Sequence, residues 1–126
     1  MSTLEEIEND YWGDPPRDAS SLVERCHRYR QQPIDELGVE GLRMLIGQAI
    51  GLPVLMPLAL TRLEADPLGE GDFYEGDLLA AVLRLPGDYW RAHPEQATRV
   101  QRLTEDVETD IPSLARDISA FRASGY

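Results

Sequence analysis

The sequence predicts an all-α protein: a compact single-domain bundle of about six helices around a central hydrophobic helix hairpin. Apolar residues recur at spacings of three and four through most of the 126-residue chain, which is typical of helices with one buried face. No segment alternates between apolar and polar residues over four to eight positions, as a half-buried strand would. At this length about two thirds of the unfolded surface can be buried, so one core can form without disulfide bonds.

Residues 1–19 are predicted to be an irregular N-terminal arm, and residues 20–126 the helical domain. The arm is polar and ends in Gly13-Asp14-Pro15-Pro16, a run of turn-forming residues. It has room for one helical turn near Leu4 to Glu8. Its apolar content is concentrated in Tyr11 and Trp12.

The first helix of the domain is predicted from a capping box, in which Ser21 is followed three positions later by Glu24. It runs to about Gln31, and Pro33 stops it. Its apolar face is predicted to consist of Leu22, Val23, Cys26 and Tyr29. The basic residues Arg25, Arg28 and Arg30 are predicted to form a solvated face that pairs with nearby acids.

The central hairpin is predicted from the apolar segment between Val39 and Ala65. The second helix would carry an apolar stripe as far as Ile50, with Gly51 as its C-terminal cap. The third would start near Pro53 and be apolar on every side up to Leu60, which predicts a central position. Pro57 is expected to cost little, because its missing N–H would fall in the first turn.

Three further segments complete the bundle. A loop of turn-forming residues runs from Asp66 to Gly76, and a fourth helix buries Leu78, Leu79, Val82 and Leu83. A short turn is predicted at Tyr89 and Trp90. The fifth helix starts at His93-Pro94 and extends to Val107, and the sixth starts near Asp110 and buries residues up to Phe121.

Charge and composition exclude several classes of function. All twelve basic residues are arginine, so the chain has neither the lysine of a Walker-type phosphate loop nor a Schiff-base lysine. A formal charge of −11 argues against nucleic-acid binding and favours a basic partner.

The apolar run from Met44 to Leu60 is interrupted by glycine and proline, so no membrane span is predicted. With one cysteine and no apolar leader, the chain is expected to be cytoplasmic.

The chain offers no convincing catalytic set. Cys26 and His27 are adjacent, and neighbouring residues on a helix point about 100° apart, so Cys26 is predicted to be a buried structural residue rather than half of a dyad. One cysteine and two histidines cannot supply a zinc cluster. We therefore expect no enzyme activity, no cofactor and no metal.

An acidic loop lies between the third and fourth helices, with Glu64, Asp66, Glu70, Asp72, Glu75 and Asp77. Neither Asp66 nor Asp72 opens a run with the oxygen ligands of an EF-hand. Asp77 stands where the positive end of a helix dipole would favour it. About half of these acids are accounted for as ordinary turn and cap residues.

Several segments resemble the immunity proteins of contact-dependent growth inhibition systems. The resemblance is carried by LRMLIGQAIGLP from Leu42 to Pro53, VLMPLAL up to Leu60, Asp66-Pro67-Leu68, and EGDFYEGDLL from Glu70 to Leu79. LEEIE from Leu4, Trp12-Gly13 with Pro15, and Cys26-His27-Arg28 with Arg30 are similar to the family's N-terminal part. The resemblance covers about residues 3–90.

The resemblance implies a small non-catalytic protein that binds and blocks the toxic C-terminal domain delivered by a neighbouring bacterium, frequently a nuclease. The alternatives are an acidic adaptor or regulatory domain for another basic protein, an enzyme that uses the acidic loop with a metal, and a structural subunit. A toxin gene immediately upstream would favour the first reading. Oligomeric state is left open.

Two segments combine acids with aromatic residues and are therefore the candidate toxin contacts, because aromatic anchors dominate interface energy while charges steer approach. The first is the arm, with Glu5, Glu6, Glu8, Asp10, Tyr11 and Trp12. The second is the acidic loop, with Glu70, Asp72, Tyr74 and Glu75. Trp12, Phe73 and Tyr74 could instead be core residues that fix their segments to the bundle, so the acids are the favoured contacts.

Overall fold

The computed structural model describes residues 2–126. Within this range the chain forms eight α-helices and no strand, only two isolated bridge pairs, so the all-α prediction is confirmed. The helices are α1 (Leu4–Glu8), α2 (Ser21–Arg30), α3 (Val39–Gly47), α4 (Leu52–Ala65), α5 (Asp77–Leu83), α6 (Gly87–Ala92), α7 (Pro94–Thr104) and α8 (Pro112–Ser124), with a 3-10 turn over Ile34–Glu36.

Helices α3 and α5 form the centre of the bundle. They pack on each other more extensively than any other pair, and α8 covers α5 while α7 packs on α4. Most of α5 is buried, including Leu78, Leu79 and Val82. One contiguous apolar core runs from Leu4 near the N-terminus to Phe121 in α8.

Helix α4 is less central than predicted. Leu58 is 38% exposed, and Pro53 and Pro57 are also exposed, so one side of this helix faces solvent. The helix starts at Leu52, which places Pro57 beyond the first turn and removes a hydrogen bond to the Pro53 carbonyl. Because both prolines lie on the solvent side, water can reach that carbonyl. No helix within residues 2–126 is long and apolar enough to cross a bilayer.

The junction between α3 and α4 also differs from the prediction. Helix α3 ends at Gly47, Ala49 adopts a left-handed φ of 56°, and Gly51 at φ 67° precedes α4 instead of capping α3. A Cβ on Gly51 would lie 2.6 Å from Leu4 Cδ2. The glycine therefore permits both the turn and the insertion of Leu4, through which α1 docks on the core.

The start of α2 is shifted by one residue relative to the predicted capping box. The hydroxyl of Ser20, not Ser21, accepts a hydrogen bond from the Val23 N–H. Leu22 and Val23 are 40% and 41% exposed, so the predicted apolar face is wrong for both, although Cys26 is buried as predicted. The first turn of α2 extends past the edge of the core.

Tyr89 and Trp90 belong to α6 rather than to a turn. Trp90 is buried and packs edge-to-face on Phe121 with ring centroids 5.1 Å apart. The later boundaries also move, because α7 ends at Thr104, before Val107, and α8 starts at Pro112. The identity of α6 and the ends of α7 and α8 depend on packing between helices, which the 3.6-residue pattern does not record.

Candidate functional site

The N-terminal arm is fixed to α2 through Arg30. This guanidinium is buried, donates to Glu8 Oε1 at 2.6 Å and to the Asp10 carbonyl at 2.5 Å, and lies 4.2 Å from the ring centroid of Trp12. Arg25 and Arg28 pair with acids at the surface as predicted. For Arg30 the predicted solvated position is wrong, because the arm folds over it.

Glu5 holds the arm from inside. It is 6% exposed, and its Oε2 accepts hydrogen bonds from the N–H groups of Trp12 at 2.7 Å and Gly13 at 3.3 Å. The Gly13 carbonyl in turn accepts from Gln31 Nε2 at 2.8 Å. Of the arm's six candidate contacts, Glu5 is therefore part of the fold, while Tyr11 is 64% and Trp12 40% exposed.

The acidic loop, residues 66–76, is organised by the buried carboxylate of Asp77. Its Oδ1 accepts from the Gly71 N–H at 2.6 Å, and its Oδ2 accepts from the Phe73 N–H at 3.0 Å. Arg43 Nε lies 3.8 Å from the same carboxylate. Asp77 thus positions the loop backbone.

Glu40 is a second internal carboxylate that the sequence analysis missed. Arg43 donates two hydrogen bonds to it at 2.6 and 2.5 Å, and the Asp72 N–H donates at 2.9 Å. The Arg43 hydrogen bonds hold the pKa of Glu40 below its usual range, against the opposing effect of burial. The only sequence signal was an acid and a base three positions apart in one helix, which is common on helix surfaces.

The two aromatic residues of the loop point in opposite directions. Tyr74 is half-buried against the core, whereas Phe73 is 69% exposed and stacks on the guanidinium of Arg43, 4.4 Å from its ring centroid. Behind Phe73 lies an open cavity of about 340 Å³ that is also lined by Gln48, Ala49 and Arg84. The sequence left open whether each residue belongs to the core or to the surface. Tyr74 packs against the core, whereas Phe73 does not.

The loop acids differ in how they are compensated. Asp72 pairs with Arg25 at 3.1 Å. Glu70 and Glu75 are exposed, and within residues 2–126 neither has an ion-pair partner. Within residues 2–126 the loop therefore presents three exposed carboxylates without ion-pair partners, those of Asp66, Glu70 and Glu75, together with the exposed ring of Phe73. Hydrogen bonds to Asp77 and Glu40 hold its backbone in place.

Cys26 and His27 do not form a catalytic arrangement. Burial raises the pKa of the Cys26 thiol, which keeps it protonated at neutral pH. The His27 ring lies against Trp12, with Nδ1 3.0 Å from the Gly13 carbonyl oxygen. Across the described part of the chain, no group of three or more His, Cys, Asp or Glu side chains could hold a metal ion.

Comparison with known protein families shows what the chain is similar to. The family model of CDI immunity proteins matches residues 6–100, most of the chain. No curated protein matches the sequence. The matched range includes the acidic loop and most of the arm, and it ends within α7.

Proposed function

Because the chain belongs to the family of contact-dependent growth inhibition (CDI) immunity proteins, we propose that it neutralises a nuclease toxin by stoichiometric binding. The bound protein would occlude the toxin's substrate site or a site beside it, without turnover. We place this encounter in the cytoplasm, where a toxin that attacks nucleic acid acts.

The observation that carries the proposal is the acidic loop. Phe73 offers a large exposed apolar ring in the same loop as Glu70 and Glu75, which are exposed and have no ion-pair partner among residues 2–126. A nuclease needs a basic face to hold phosphates, and an acidic inhibitor complements that face directly. Asp77 and Glu40 fix the loop before binding, so little ordering entropy is lost when the complex forms.

The arm is a second proposed contact region. The arm carries the exposed acids Glu6, Glu8 and Asp10 together with the exposed Tyr11 and Trp12, and the Trp12 Nε1–H donates to Asp10 Oδ2 at 3.3 Å. Two of the arm's acids already have partners within the chain: Glu8 forms an ion pair with Arg30, and Glu6 accepts a hydrogen bond from the Thr3 N–H. The loop is therefore the stronger candidate, with Asp72 and Tyr74 supporting its shape.

Growth protection tests the proposal. Co-expression with the toxin domain encoded next to this chain's gene should restore growth, and calorimetric titration of the purified pair should give one toxin bound per chain. An unrelated toxin should not be neutralised. Rescue from many unrelated toxins, or protection without complex formation, would contradict stoichiometric occlusion.

A further inference from the structure

A groove separates the acidic loop from the connection between α7 and α8. Its lining residues are Leu68, Glu75, Glu108, Thr109, Asp110 and Ile111, around a volume of about 340 Å³. We propose that this acidic groove receives a cationic segment of the toxin and helps to decide which toxin is bound. This inference rests on the proposed function and adds a specific contact surface to it.

The fold brings these two distant segments together through Gly76. This residue has φ 89°, and a Cβ there would clash with the side chain of Leu114 in α8 and lie 3.2 Å from Leu68 Cδ2. The end of the loop can therefore lie directly against the start of α8. On the other wall, the Thr109 hydroxyl accepts a hydrogen bond from the Ile111 N–H at 3.1 Å, which fixes the turn that carries Asp110.

The chemistry of the groove selects a cation with an apolar stem. Leu68 and Ile111 are half-buried and form an apolar floor. Glu75, Glu108 and Asp110 are exposed around it, and none of the three has an ion-pair partner among residues 2–126. An arginine or lysine can lay its methylenes on such a floor and place its charge among the carboxylates.

A basic toxin segment fits this groove better than a second copy of the same chain. Two molecules with a formal charge of −11 each repel one another, whereas a basic nuclease face is attracted. The groove is also continuous with the proposed loop contact, since Glu75 belongs to both. One toxin surface that contacts Glu75 would therefore meet both the loop and the groove.

The groove lies across the end of the range that matches the family. Glu75 lies inside the matched range of residues 6–100, whereas Glu108 and Asp110 lie outside it. One wall of the groove therefore belongs to the range that matches the family, and the other wall lies beyond that range.

The test removes the charges of the groove without changing side-chain size. The variant combines Glu75→Gln, Glu108→Gln and Asp110→Asn. The control combines Asp35→Asn, Glu36→Gln and Glu95→Gln, three exposed acids without ion-pair partners in the described chain. Glu95 lies in the first turn of α7, at the opposite end from the groove.

The probe is the toxin domain encoded next to this chain's gene, with stopped-flow association and growth protection as readouts. Both variants carry the same net charge, so general attraction falls equally. We expect the groove variant to bind about tenfold more weakly than the control, because it loses local contacts as well. Glu108→Arg alone should weaken binding in the same direction, which keeps the test valid if the triple variant folds poorly.

The possible outcomes distinguish failure of the groove proposal from failure of the proposed function. Equal binding by the groove and control variants, with intact wild-type protection, overturns the groove and leaves the proposed function standing. Absence of wild-type binding and protection overturns both. A change in the sedimentation of the groove variant without toxin would assign the groove to self-association and also overturn the inference.

Discussion

At the scale of single residues, identical acids have opposite roles that depend on partners far away in the chain. Glu5, Glu40 and Asp77 accept backbone hydrogen bonds and hold segments in place, whereas Glu70 and Glu75 face solvent. The sequence locates the acid-rich segments but not this division, because it depends on contacts such as Arg25 with Asp72, 47 positions apart. Local periodicity likewise could not say which of Phe73 and Tyr74 points inward.

Phe73→Ala tests the exposed ring as an anchor of the interface. Since the side chain is 69% exposed, we expect little change in the free energy of unfolding. Truncating a central aromatic anchor typically costs about 2 kcal/mol of binding or more, roughly thirtyfold in Kd. Titration calorimetry against the toxin measures the loss.

Tyr11→Ala is the comparison variant, because Tyr11 is an aromatic residue of similar exposure in the second proposed contact region. It should change toxin affinity less than Phe73→Ala. The reverse order would move the interface from the loop to the arm.

Glu40→Gln tests the internal ion pair through its dependence on pH. The folded-state pKa of Glu40 is depressed, mainly by the Arg43 hydrogen bonds, so its stabilisation is present above the unfolded pKa and is lost as pH falls through the folded value. At pH 7 the variant should lose about 1.5–3 kcal/mol of unfolding free energy. This deficit should shrink as the pH falls below the ordinary pKa of a glutamate, because the depressed pKa of Glu40 applies only in the folded state.

Urea unfolding of both proteins across that range measures the deficit. Glu64→Gln serves as control, since Arg99 also lowers the pKa of Glu64 but the pair lies at the surface and is expected to contribute at most about 1 kcal/mol. A Glu40→Gln deficit that stays constant with pH would show that the pair does not stabilise the fold.

At the scale of elements, periodicity predicted the long helices and failed where packing or capping decides. Helices α3, α5, α7 and α8 carry apolar stripes that the structure buries. The six-residue α6 is too short to show a helical period in its sequence. Its position in the bundle depends on the contact between the rings of Trp90 and Phe121. The exposure of Leu22 and Val23 follows from where α2 enters the bundle, which no local pattern contains.

The arm offers an element-scale prediction. Arg30→Met keeps an unbranched, largely apolar stem but removes the guanidinium, with its hydrogen bonds to Glu8 and the Asp10 carbonyl and its contact with Trp12. Losing hydrogen bonds to a charged group should lower the free energy of unfolding by about 1.5–3 kcal/mol. The arm should also become more accessible, so trypsin should cut faster at Arg17.

Arg28→Met on the same helix is the control, because Arg28 forms only an exposed pair with Glu24 four positions earlier. It is expected to cost about 0.3–0.5 kcal/mol. If the two variants have equal stability and equal cleavage rates, Arg30 does not hold the arm.

At the scale of the whole molecule, the charge is unevenly compensated. Most arginines are in ion pairs with acids, namely Arg25, Arg28, Arg30, Arg43, Arg84, Arg91 and Arg99. Little positive charge is left to offset the exposed acids of the loop and of the α7–α8 connection. With a net charge of −11, the exposed acids without ion-pair partners, among them Glu70, Glu75, Glu108 and Asp110, are expected to give the loop and the groove a negative field.

Such a field predicts that association with the toxin depends on salt while dissociation does so only weakly. The Debye length falls from about 30 Å at about 0.01 M salt to about 8 Å at about 0.15 M, so attraction at a distance is screened while contacts within the complex are retained. The association rate constant should fall by about tenfold or more over this range. Stopped-flow mixing with the toxin gives this rate constant, and dilution of the complex gives the dissociation rate. An association rate constant that does not change with salt would mean that the acidic surface does not steer the toxin. If salt instead changed only the dissociation rate constant, the charges would act only inside the formed interface.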